Sequence, residues 1–184
     1  MTVRITKPAF NLREKLTELD YSRVPYEKMP AGSIIQSAST TITTSLILNS
    51  ASDSSLLGAY SDTPMTFTIN PKFPNSKLLV NFQFGLLLRD QGSNSALGYG
   101  VKRNGTRVIT SATNPHEQFI SGSNLVGFRT TYTYVDTTYN SVEPQTYLLE
   151  AYLRGGYSNM IAEFNSRSET GNVVIYEVAQ WYQH

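Results

Sequence analysis

The chain has 184 residues, a formal net charge of +1 and no cysteine. Disulfide stapling and thiolate metal sites are excluded outright, and a near-neutral chain lacks the basic footprint of a nucleic-acid binder. Tyrosine is the main aromatic, and β-branched and aromatic side chains fit a pleated, half-buried surface.

Charge concentrates at the front. The first thirty residues hold ten charged side chains, and Pro30-Ala31-Gly32 marks a boundary near residue 32. Met1-Thr2-Val3-Arg4 lacks the apolar core of a signal peptide, and no stretch reaches the ~18 apolar residues of a membrane span. The expectation is a protein made in the cytoplasm, with no membrane partner. Asn11 with Glu14 three residues on resembles a capping box. Leu12, Leu16 and Leu19 follow at i, i+4 and i+7, one apolar stripe on a short helix. A helix of about ten residues is marginal alone in water, so it needs a surface. Tyr21, Val24, Pro25, Tyr26 and Met29 continue as an extended ribbon, because the residue before a proline avoids the helical region. Residues 1–32 therefore read as a docking arm, with Leu12, Leu16, Leu19, Tyr21, Tyr26 and Met29 as its apolar contacts.

From residue 33 onward the pattern is all-β. Residues 33–44 are rich in Ile, Ser and Thr, and 65–69 alternate. Residues 77–88 form a long apolar run expected at the centre of a sheet. Residues 98–103 and 106–110 flank Asn104-Gly105, a strong hairpin signal because both central residues of a type I′ turn need positive φ. Residues 125–135 place Phe128, Thr130, Tyr132 and Tyr134 on one face, and 145–154 place Tyr147, Leu149, Ala151 and Leu153 together. Strands at 160–164 and 172–182 complete the set. Such spacing without helical pattern implies an antiparallel sandwich or barrel over 33–184. Polar loops are expected at 49–62, 90–95, 111–123 and 136–144.

Chemistry is sparse. His116 lies in a loop and His184 ends the chain, with no metal-ligand spacing and no nucleophile elbow. No cofactor motif is present. A glycan depolymerase would need two carboxylates about 5–10 Å apart. Asp90, Asp136, Glu143, Glu150 and Glu163 are the candidates, and the strand positions Glu150 and Glu163 are expected to face solvent. Lys102, Arg103 and Arg107 are read as guards of an edge strand. The chain is expected not to be an enzyme. Loop residues His116, Tyr139 and Asn140 are candidates for recognising a host-surface glycan.

Several segments carry a resemblance. Asn11-Leu12-Arg13-Glu14-Lys15-Leu16, Leu19-Asp20-Tyr21, Arg23-Val24-Pro25-Tyr26 and Lys28-Met29-Pro30-Ala31-Gly32-Ser33-Ile34-Ile35-Gln36 resemble the start of virion structural proteins of marine tailed phages, cyanophages especially. Phe67-Thr68-Ile69-Asn70-Pro71, Ser76-Lys77-Leu78-Leu79-Val80 and Val174-Ile175-Tyr176-Glu177-Val178 continue it. The resemblance implies a jelly roll of the C1q or TNF kind, assembly as a homotrimer and other virion proteins as partners. The implied role is a short fibre, appendage or tail adaptor, or else a capsid decoration protein, located in the virion.

Overall fold

The computed structural model describes residues 29–90, 95–109, 118–120, 125–154 and 160–180. The predicted arm helix lies outside them. The described chain forms eleven strands: β1 (Ile34–Ile42), β2 (Leu46–Asn49), β3 (Tyr60–Ile69), β4 (Lys77–Asp90), β5 (Ser95–Arg103), β6 (Thr106–Ile109), β7 (Gln118–Ile120), β8 (Leu125–Asp136), β9 (Gln145–Leu153), β10 (Met160–Phe164) and β11 (Gly171–Val178).

Several short strands are pieces of one lane. β1 pairs with β11 and β2 with β10, while β10 and β11 both lie along the same side of β4. β6 and β7 likewise share one side of β5. The eleven strands thus occupy eight lanes in two four-lane antiparallel sheets. Sheet A runs β1/β2, β10/β11, β4, β8, and sheet B runs β3, β9, β5, β6/β7. Numbered by lane, first pairs with eighth, second with seventh, third with sixth and fourth with fifth. That is a long antiparallel ribbon rolled into a double Greek key, the jelly-roll arrangement. The expected antiparallel sandwich is therefore the observed fold.

Alternation decides which side chains form the core. Leu78, Val80, Phe82, Phe84, Leu86 and Leu88 of β4 point inward with Val173 and Ile175 of β11, and meet Tyr147, Leu149, Ala151 and Leu153 of β9. Phe84 sits at the centre, its ring 5.7 Å from Tyr99 and 5.4 Å from Phe164. The Asn104-Gly105 turn has φ of 49° and 80°, as the hairpin signal requires.

Two local departures from the sequence reading matter. β3 begins at Tyr60, five residues before the alternating run, because a bulge between Asp62 and Thr66 absorbs Pro64. Proline is tolerated at a bulge because no ladder hydrogen bond is asked of it there, and Thr63 Oγ1 donates to Leu149 O at 2.6 Å in compensation. β7 lies inside a stretch expected to be loop.

Candidate functional site

Of the predicted docking residues, Leu12, Leu16, Leu19, Tyr21 and Tyr26 lie outside the described residues, as does His116. Met29 is half-buried where the chain enters the sandwich, and Asn140 is exposed. Tyr139 is a correction. It is 5% exposed and belongs to the core cluster. Its hydroxyl hydrogen-bonds Ser76 Oγ and lies 3.3 Å from Phe73 O. The ring fills the end of the core under loop 70–76 and is not offered to a glycan.

Among the described residues three carboxylates are fully buried: Asp136, Glu150 and Glu177. A buried charge is tolerable only when paired or richly hydrogen-bonded, and each meets that demand differently. Asp136 ends β8 on the inward parity set by Tyr132 and Tyr134. It accepts from Arg103 Nη1 at 2.8 Å, Tyr147 Oη at 2.7 Å, and Thr138 N and Oγ1 at 2.8 and 2.9 Å. Glu150 points outward from β9, yet Arg107 clamps it with Nε at 2.5 Å and Nη2 at 2.6 Å, and Lys102 Nζ stands at 3.2 Å. Lys102 also bonds Asp62 at 2.5 Å, and the Arg107 guanidinium lies 3.9 Å from the centre of the Tyr60 ring. The expectation that Glu150 faces solvent is therefore overturned. So is the reading of Lys102, Arg103 and Arg107 as edge guards, since all three are counter-ions of buried acids. The fold explains both: lanes β3 and β6 bring Tyr60 and Arg107 across the outer face of β9.

Burial by itself would raise the Asp136 carboxyl, but the Tyr147, Thr138 and Arg103 donors outweigh it and hold the group below its ordinary range. Burial, with the same pairing to Asp136 behind it, pushes the Tyr147 phenol up. A group held down in this way stays charged at neutral pH and is a poor general acid. The linkage has a definite sign. An unfolded Asp titrates near about 4, so on acidification the unfolded chain takes up the proton first. The stability that Asp136 contributes is whole above that pH and is lost as pH falls through the lower folded value. Denaturant unfolding at pH 7 and in mild acid should therefore show a smaller acid loss for Asp136→Asn than for the native chain. Equal acid losses would show that Asp136 contributes nothing to the acid limb.

The outer face of sheet A has two distinct ends. At the start of β4, cross-strand rows bring together Ile34 and Val178, then Tyr176, Leu79 and Val135. Ile34 is 62% exposed and Val135 49%. Residues 29–33 enter the sandwich here, with Gly32 N donating to Ala179 O and Ala179 N to Ser33 O, both at 2.9 Å. Two rows of Ser, Thr, Asn and Gln follow, apart from Val174; in them Thr133 Oγ1 donates to Asn81 Oδ1 and Thr41 Oγ1 to Asn172 Oδ1.

Beyond these rows lies a cleft. The β10/β11 lane breaks at 165–170, level with the break between β1 and β2. Asn165 is 2% exposed and ties the loop down. Its N–H donates to Gly85 O at 2.9 Å, its Oδ1 accepts from Gly85 N at 3.3 Å, and its Nδ2 donates to Thr44 O at 3.4 Å. Asn165, Arg167 and Ser168 all have positive φ, of 48°, 55° and 66°. Non-glycine residues held there cost on the order of 1–3 kcal/mol each, and such strain gathers at ligand clamps. The Glu169 side chain lies across Gly85, where a β-carbon would run into its carboxylate.

No family model matches the chain, and no curated protein matches it. Among solved structures, it is similar to the protein of the T13 IBDV viral particle, with a TM-score of 0.39, 17% identity, and coverage of 79% of this chain and 36% of that one. It is also similar to the VP2 protein of infectious bursal disease virus in T=1 particles (TM-score 0.37, 15% identity, 79% and 37%). A third is latent PorU of Porphyromonas gingivalis (TM-score 0.37, 13% identity, 83% and 14%). The chain spans little more than a third of the length of the viral proteins and a smaller part of PorU. The assignment of the fold rests on the strand order above.

Proposed function

We propose that the chain is a phage virion structural protein, a short fibre, appendage or tail adaptor. It docks to the particle through residues 1–32 and assembles through its β domain as a homotrimer. One observation carries this reading. The apolar end of sheet A, with Ile34 and Val135 exposed and Leu79, Tyr176 and Val178 half-buried beside them, lies where residues 29–33 enter the sandwich. The patch lies beside residues 29–33, and exposed apolar patches mark sites of association. Burying a side chain such as Leu or Val contributes about 1.5–3 kcal/mol, so a few contacts in each of three copies suffice to hold an appendage. The segment resemblances described above point to the same class of protein.

The test is incorporation. Leu16→Asp with Leu19→Asp should cut the copies found in purified virions by about tenfold or more, since even one lost apolar contact of this size is worth a decade in affinity. The melting transition of the free protein should be unchanged. Normal incorporation of the double variant overturns the anchoring role. Sedimentation of the purified chain as a monomer overturns the trimer. Imaging of labelled particles separates a tail position from the alternative, capsid decoration.

A further inference from the structure

We propose that the cleft beside loop 165–170 binds one acidic sugar unit, a hexuronate, of a surface polysaccharide. The cavity measures about 280 Å³ and is lined chiefly by Gly85, Leu87, Gly127, Arg129, Arg167 and Glu169. It differs in place from Tyr139 and Asn140 and from the apolar patch beside residues 29–33. Gly85 lies six steps along β4 from Leu79 in the apolar patch, roughly 20 Å along a strand.

The floor is made by omission. Gly85 lies opposite Arg129, and Leu87 opposite Gly127, on neighbouring strands. Two outward side chains are thus missing where the lanes meet, which lets the Glu169 carboxylate lie low over Gly85 and Leu87 lean beside Gly127. The wall is loop 165–170, fixed by the buried Asn165 and by three left-handed residues in sequence neighbourhood. Such a wall is set before a ligand arrives, which limits the ordering cost of binding.

The charges select the ligand. Arg129 and Arg167 are exposed, and among the described residues no ion pair engages either of them or Glu169. Arg129 makes one long bond, Nη2 to Thr170 O at 3.4 Å. Guanidinium groups match a carboxylate in planar, two-point fashion, while Glu169 can only accept. A simple anion would serve the arginines and be repelled by Glu169. A neutral sugar would serve Glu169 and accept from the arginines, but would leave both guanidinium charges without a counter-ion. A ring that carries a carboxylate and several hydroxyls serves all three. The volume falls just below the range of drug-sized pockets, which fits one ring rather than several.

The experiment titrates the full chain with D-glucuronate and D-galacturonate, using D-glucose and acetate as controls. At least one uronate should bind about tenfold more tightly than either control, a difference of one decade. Arg129→Ala with Arg167→Ala should remove that binding, and Glu169→Gln should weaken it, with melting unchanged in both. Uronates that bind no better than acetate overturn the proposal, as does binding that survives the double arginine variant. Virions should incorporate the arginine variant normally. If incorporation is lost instead, this end of the face belongs to assembly and the sugar site is overturned, while the arm reading stands or falls on the leucine variant.

Discussion

Glu177→Leu should destabilise the sandwich by about 3–5 kcal/mol, the range for breaking a buried, hydrogen-bonded charge. Glu177 is fully buried on β11, on the inward parity of Val173 and Ile175. Its two oxygens gather loop 70–76. Lys72 N donates at 2.8 and 3.0 Å, Phe73 N at 2.9 Å and Ser76 Oγ at 2.6 Å. From β1, Gln36 Nε2 donates at 2.7 Å and also holds Asn70 O at 2.7 Å. Leucine preserves much of the volume but accepts nothing, so the Lys72 and Phe73 amides lose their acceptor inside the protein. Gln36 keeps Asn70. Thermal unfolding is the measurement, and for a domain of this size the loss corresponds to a fall in Tm of about 10 °C. A variant melting within about 2 °C of the native chain would mean that the loop has other support.

Phe84→Ala should cost about 3–5 kcal/mol in denaturant unfolding, the usual range for truncating a core aromatic. Phe84 has no exposed surface, and its ring contacts both Tyr99 of sheet B and Phe164 of sheet A. It therefore joins the two layers at the middle of β4, a strand that pairs with β8, β10 and β11. Gln83 provides the control, since it is exposed on the opposite side of the same strand. Gln83→Ala should change stability by no more than about 0.5 kcal/mol. Comparable losses at the two positions would contradict the inward and outward assignment of the strand.

Alternation made most of this fold legible. The inward set of β4 and of β9 can be read directly from residues 77–88 and 145–154, and Asn104-Gly105 places its turn to the residue. Side-chain roles were less visible. Glu177 and Asp136 do carry a signal, because each continues the inward parity of its neighbours, Val173 and Ile175 for the one and Tyr132 and Tyr134 for the other. Glu150 carries none: it is on the outward parity, and only the pairing of distant lanes covers it with Arg107 and Tyr60. Tyr139 follows the end of β8, where period-two reasoning stops, so its burial under loop 70–76 depends on topology alone. The cleft is hidden for a similar reason. Gly85, Gly127 and Glu169 are far apart in the chain, and they meet only because β4 lies between β8 and the broken lane.

The level at which that lane breaks has a mechanical consequence. Sheet A is four lanes wide, but near Phe84 and Gly85 two of the lanes are interrupted and only β4 and β8 run through. A tensile load along the strands crosses that level on two continuous threads, aided by the clasp of Asn165 on Gly85. Bending of the sheet should therefore concentrate at that level, where two lanes rather than four resist it.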